Sequence, residues 1–159
     1  MKITSNISSF IKNARLSISS FVQLSLLSTI LLSGLTHASE AKDALFQKLG
    51  GKPGITKIVD DFMPLVMADE RINTFFAKTD QVKLKEMLVD QFCELAGGPC
   101  KYKGRDMSDA HEGMGVRTNH FNALAEDLQI AMEKNDIPSS VSNQLVAMLA
   151  PMQRPIVTK

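Results

Sequence analysis

Three side-chain types in this chain could hold a metal or form a cross-link: three histidines, two cysteines and nine methionines. His37 lies in an N-terminal stretch unlike the rest of the chain, which leaves His111 and His120. His111 is the more informative of the two. Met107, Ala110, His111 and Met114 fall at offsets of zero, three, four and seven, so on a helix the imidazole points the same way as its apolar neighbours. A buried imidazole needs a partner, either a carbonyl that takes its N–H or a metal that takes its lone pair. From residue type alone, the hydrogen-bonded core histidine is the preferred reading. His120, two residues after the candidate cap Thr118, is expected at a helix edge facing solvent and is the second candidate for a ligand.

Cys93 and Cys100 flank Gly97-Gly98-Pro99, a turn that could bring the two sulfurs together. A disulfide closing so short a loop stabilises by roughly 2 to 3 kcal/mol in the chain-entropy treatment. It is the expected state, with free thiols as the alternative; a thiolate metal site lacks a nearby histidine at ligand spacing. The chain has no nucleophile-elbow sequence, phosphate-binding glycine loop or His-Glu-x-x-His run. The carboxylate pairs Asp60-Asp61 and Glu126-Asp127 lie away from the apolar stripes and read as solvated faces. The methionines fall mostly at core offsets, where packing is their ordinary role.

The elements that must position these residues begin only after about the first forty. Lys2, Lys12 and Arg15 are the only Lys, Arg, Asp or Glu from Met1 to Ala38, and they precede a mostly apolar run from Phe21 to Leu35. Thr36-His37-Ala38 then places small residues at the third and first positions before a cut. This predicts a signal peptide at 1–38, cleaved after Ala38 or, as the alternative, after Ala41. The apolar run falls short of the roughly 20 residues a spanning helix needs, so no membrane association is expected after cleavage. The expected location is outside the cytoplasm, in the periplasm, where a disulfide persists.

Residues 39–159 suffice for one domain with one core. They carry 15 Lys and Arg against 17 Asp and Glu, so a nucleic-acid partner has no electrostatic support. Periodicity predicts an all-α domain. A short helix from about Lys42 to Leu49 ends at Gly50-Gly51, a pair suited to a left-handed cap. Pro53 to about Ala68 carries Ile55, Ile58, Val59, Phe62, Met63 and Val66 on one face, with Pro64 expected to kink or interrupt the helix. After a connection holding Phe75-Phe76, a helix capped by Asp80 carries Val82, Leu84, Met87, Leu88, Phe92 and Leu95. Pro99 to Gly115 is polar, glycine-rich and weakly periodic, with room for one short helix. A long helix capped by Thr118 then runs to about Asn135, and a last one starts at Pro138 or Ser139.

The residues 45–157 resemble the group I truncated haemoglobins. The resemblance rests on Leu49-Gly50-Gly51, Asp61-Phe62, Phe75-Phe76, Gly97-Gly98-Pro99, Tyr102, Gly104, Met107, Ala110-His111, Gly113, Gly115, His120-Phe121 and Ala150-Pro151, in that order. It implies a truncated globin fold, a two-over-two helical sandwich around a non-covalent haem, with the first helix shortened and the segment before His111 largely a loop. It implies His111 as the proximal ligand to the iron and Phe76 as the corner aromatic packed on the haem. Phe75, Leu84, Leu88, Phe92, Met107, Val116 and Phe121 are implied as further pocket walls. Apolar walls suit a porphyrin and a neutral imidazole suits its iron.

On the distal side the sequence departs from that family. A Tyr common after the Asp-Phe pair is here Met63, and two positions that often carry Gln are Leu84 and Leu88. The pocket is therefore expected to lack a hydroxyl or amide donor. The family resemblance implies reversible binding of a diatomic gas: oxygen, nitric oxide or carbon monoxide. The alternative is haem redox chemistry, as a nitric oxide dioxygenase or peroxidase served by a redox partner protein, or as an electron carrier. In the last case Met63 or Met87 would supply a sixth, thioether ligand and raise the reduction potential.

Overall fold

The computed structural model describes residues 44–158; the expected signal peptide and its cleavage point lie outside them. Among the described residues all regular structure is helical. A helical segment at 44–48 (α1) leads into Gly50 and Gly51, whose φ angles of 81° and 64° make the left-handed corner that glycine alone adopts without strain. Helix α2, Gly51–Ala68, follows at once. A single turn, α3 (Asn73–Phe76), precedes α4 (Gln81–Leu95) and the short α5 (Met107–His111). Next come α6 (Thr118–Lys134) and α7 (Ser139–Leu149), then a 3-10 turn at Ala150–Met152 and a final turn α8, Gln153–Ile156.

Helix α2 is the spine of the core, packing on both α4 and α6. Its stripe Ile55, Ile58, Val59, Phe62, Met63 and Val66 is buried in full, as the three- and four-residue spacing requires. Pro64 does not interrupt the helix, which is continuous through it. Pro64 and Asp60 are both exposed, so the Asp60 carbonyl that loses its intrahelical N–H partner can turn to water. Met63 and Val66 on either side of Pro64 are both buried, so packing favours keeping the two turns helical. Around this spine α6 packs on α7, α4 on α7, and α5 on α8.

Asp80 caps α4 as expected, its carboxylate accepting the backbone N–H groups of Val82 (3.0 Å) and Lys83 (3.1 Å). Thr118 does not cap α6. It is the first helical residue, with Arg117 at the cap, and the imidazole Nδ1 of His120 accepts the Arg117 N–H at 3.2 Å. The side chains of α4 divide between two surroundings. Val89, Phe92 and Cys93 enter the core, Leu84, Met87 and Leu88 are half-buried, and Val82 is 71% exposed. Periodicity recognises an apolar face but not whether a neighbouring helix or a ligand covers it.

Candidate functional site

The stretch between α4 and α5 has little periodicity because its order comes from cross-links to the end of α4. Cys93, fully buried, is disulfide-bonded to Cys100. The next residue's carboxylate, that of Glu94, accepts the backbone N–H of Tyr102 at 2.8 Å and the Lys101 ammonium at 3.1 Å. Those two donors, the backbone N–H foremost, hold the Glu94 carboxyl below its ordinary pKa. The Tyr102 hydroxyl donates to the Arg105 carbonyl at 3.0 Å while its phenol covers Gly104, where a Cβ would overlap the ring. At Gly98 a Cβ would come within 2.6 Å of the Phe46 ring and 2.7 Å of the Cys93 sulfur. Asp106 then caps α5, accepting the Ser108 N–H at 2.8 Å.

His111 ends α5. Its Nδ1 lies 2.8 Å from the Met107 carbonyl, one turn back. A carbonyl only accepts, so Nδ1 carries the proton and, in the neutral ring, Nε2 keeps its lone pair. Among the described residues Nε2 has no hydrogen-bond partner, and the side chain is half-buried. This is the arrangement of a metal-ligating histidine, with one nitrogen fixed by an outer partner and the other presented. His120 has the opposite arrangement. Its Nδ1 lone pair is used by the Arg117 N–H, which places the proton of the neutral ring on Nε2, and the ring tilts against Phe75 with centroids 5.0 Å apart. Ligation by His120 would cost α6 its capping bond.

The ten apolar residues expected to wall the site come from α2, α3, α4, α5 and α6 and from the loop before α6. None is exposed. Met63, Phe92 and Val116 are buried; Phe75, Phe76, Leu84, Met87, Leu88, Met107 and Phe121 are half-buried. Phe75, Phe76, Leu84 and Leu88 lean on the core cluster, whereas Met87, Met107 and Phe121 stand outside it. Large apolar side chains left half-covered on several elements are the kind of surface an apolar ligand would cover. The chemistry of this set fits a haem: apolar walls for the porphyrin faces and one neutral imidazole for the iron.

Comparison with known proteins agrees with this geometry. A family model described as bacterial-like globin matches residues 44–158. The group 1 truncated hemoglobin of Tetrahymena pyriformis is 31% identical over 115 residues, 72% of this chain and 95% of that protein. The chain belongs to the group 1 truncated haemoglobins. The crystal structure of the Tetrahymena pyriformis truncated hemoglobin in its Fe(III) form superposes with a TM-score of 0.70, covering 72% of this chain and 98% of that one. The 2/2 hemoglobin of Synechococcus, solved in the cyanomet state with covalently attached heme, gives 0.67 at 30% identity over the same shares of the two chains. The fold is thus the two-over-two globin sandwich.

Two polar residues of this globin escaped the sequence reading. Gln91, on the same face of α4 as Leu84 and Leu88, is 8% exposed and has its amide between two methionine sulfurs. Asp127, expected on a solvated face, is 5% exposed, and its Oδ2 has no partner. Desolvation, and after it the charge of Asp69, push its pKa up, with Arg71 opposing. Its neighbour Glu126 behaves as expected, pairing at the surface with Arg71 at 2.7 Å. Asp61 also meets a cation, Lys134 at 3.0 Å. A single Asp on an amphipathic helix gives no sequence signal of which side of the stripe edge it will occupy.

Proposed function

We propose that this protein is a haem globin that reversibly binds a diatomic gas, with His111 as the proximal ligand. The observation that carries this is the Nδ1–H of His111 given to the Met107 carbonyl, which leaves the Nε2 lone pair of a half-buried imidazole without a partner among the described residues. Haem, held without a covalent bond, supplies an iron with an open position for a small gas. The chain supplies the rest. Phe75, Phe76, Phe92, Met107, Val116 and Phe121 exclude water from the porphyrin faces, and the Met107 carbonyl fixes the tautomer and rotation of the imidazole. On the distal side Met63, Leu84, Met87 and Leu88 carry no N–H or O–H. Oxygen, which develops negative charge when held, therefore lacks a donor worth roughly 1.5 to 3 kcal/mol and leaves quickly. Carbon monoxide and nitric oxide depend less on such a donor.

The apolar distal set favours gas exchange over redox turnover, because dioxygenation needs a long-lived oxygen complex and peroxidase chemistry a distal acid–base group. Export to the periplasm belongs to the same reading and rests on Lys2, Lys12, Arg15, the apolar run and Thr36-His37-Ala38. Among the described residues no helix is long and apolar enough to cross a membrane. Optical spectra of the ferric, ferrous and carbon monoxide forms test the function. The wild type is expected to show a Soret band with a five-coordinate histidine spectrum in the ferrous form, and His111→Ala to lose that signature. If His111→Ala keeps it unchanged, His120 is the ligand and the assignment is wrong.

A further inference from the structure

Helix α5 has five residues, too few to be stable by itself, and it carries the histidine on which the site depends. Its hydrogen bonds are nearly all local. Asp106 caps Ser108, the Asp106 carbonyl accepts from Ala110, Arg105 donates to the Asp109 carbonyl, His111 donates to the Met107 carbonyl, and Met114 returns to the His111 carbonyl. Each spans no more than four residues of chain. Among the described residues one side-chain hydrogen bond reaches α5 from another helix: the Gln91 amide nitrogen donates to the Met107 sulfur at 3.7 Å. The same nitrogen donates to the Met152 sulfur in the C-terminal 3-10 turn at 3.8 Å.

This placement is specific. Gln91 is 8% exposed on a helix whose other inward residues are apolar, and a buried amide needs its protons taken. Two thioethers, weak but polarisable acceptors, take one proton each. The reverse orientation of the amide would set its oxygen against two sulfur lone pairs, so the N–H assignment follows from chemistry. Met107 is then held at both ends of its role: its sulfur by Gln91, its carbonyl by the Nδ1–H of His111 at 2.8 Å.

We infer that Gln91 is a positioning residue for the proximal histidine. Through the Met107 sulfur it fixes the roll of α5, and through the Met107 carbonyl the direction in which Nε2 of His111 would be presented to an iron. The inference rests on the haem-globin reading above. It gives a buried amide on the helix of the distal leucines a proximal task, and it makes Met107 a hinge as well as a wall.

The test uses the haem-loaded full chain and reads the iron–histidine stretching band of the ferrous form by resonance Raman, the rate of haem loss and the Tm. Gln91→Leu removes the donor at similar volume. It is expected to shift and broaden the band and to speed haem loss roughly two- to tenfold, the range of one net hydrogen bond. The Tm is expected to hold or rise, because an apolar group replaces an amide that has only sulfur acceptors. Met107→Leu, which removes the acceptor on α5, is expected to reproduce the band change, and the double variant to add nothing further. Wild-type band and haem-loss rate in Gln91→Leu overturn the inference, and so do additive effects in the double variant. A wild type that takes up no haem overturns the functional reading itself, before any variant is compared.

Discussion

Replacing both cysteines, Cys93→Ala with Cys100→Ala, tests whether the cross-link under the proximal loop has the effect its position implies. The two residues are seven apart in sequence, so the disulfide closes an eight-residue loop. The chain-entropy relation gives a loss of about 8 cal/mol/K for such a loop, or about 2.5 kcal/mol at 25 °C. For the 115 described residues, at about 4 °C per kcal/mol, the Tm should fall by about 10 °C. Burial adds to this, since Cys93 has no exposure and its sulfur lies against Gly98, which has no side chain to fill the space left. The assay is thermal unfolding followed by far-ultraviolet circular dichroism, with and without dithiothreitol. Reductant should lower the wild-type Tm and leave that of the double variant unchanged. Haem loss should also quicken in the variant, because the released segment leads directly into the helix that carries His111. A wild-type Tm indifferent to reductant, with the double variant within 2 °C of it (well inside the ~10 °C expected), would refute the reasoning.

Two further outcomes follow from single side chains. Leu88→Gln places an amide donor on the half-buried distal face of α4 and should slow oxygen dissociation roughly 10- to 150-fold in stopped-flow displacement, with a smaller effect on carbon monoxide. An unchanged oxygen off-rate would mean that the face does not look onto the bound gas. Asp127→Asn should raise the Tm at pH 7 and lose that advantage in acid. Because burial raises the folded-state pKa of Asp127, its contribution to stability is full below the unfolded carboxylate pKa and is lost as pH rises through the folded one. At neutral pH the desolvated charge of Asp127 is therefore a cost, which the neutral amide removes although its own polar atoms stay without a partner there. Equal gains at pH 4 and pH 7 would contradict the assignment to this group.

Much of the fold was legible because local chemistry and tertiary burial agree in α2, at the Asp80 cap and at the Gly50-Gly51 corner. The α2 stripe is buried residue for residue, and two glycines in the left-handed region have a single physical explanation. Where the two diverged, the reasons are particular. Pro64 argues for a break only if nothing holds the turns on either side, and α4 and α6 both do. Thr118 is a good cap by type, but a histidine ring two residues on had already taken the Arg117 N–H. The α4 stripe showed which residues are apolar, while their division between core and ligand site depends on which helix lies opposite.

The sequence by itself determined that the domain is helical, that Pro99 to Gly115 is weakly periodic with room for one short helix, and that His111 shares a helix face with apolar neighbours. Those are consequences of spacing and residue type, which act over a few residues of chain. Only the tertiary structure decided which histidine has a free nitrogen, because that depends on whether Nδ1 meets a carbonyl oxygen, as in His111, or an N–H group, as in His120. It also decided that Gln91 and Asp127 are buried, and that Glu94, Cys93 and Gly98 brace the loop leading to α5 and His111. Hydrogen-bond partners distant in sequence leave no periodic trace, and in this globin they hold the loop before α5 and the Met107 side chain, while the imidazole itself is held by a carbonyl four residues back.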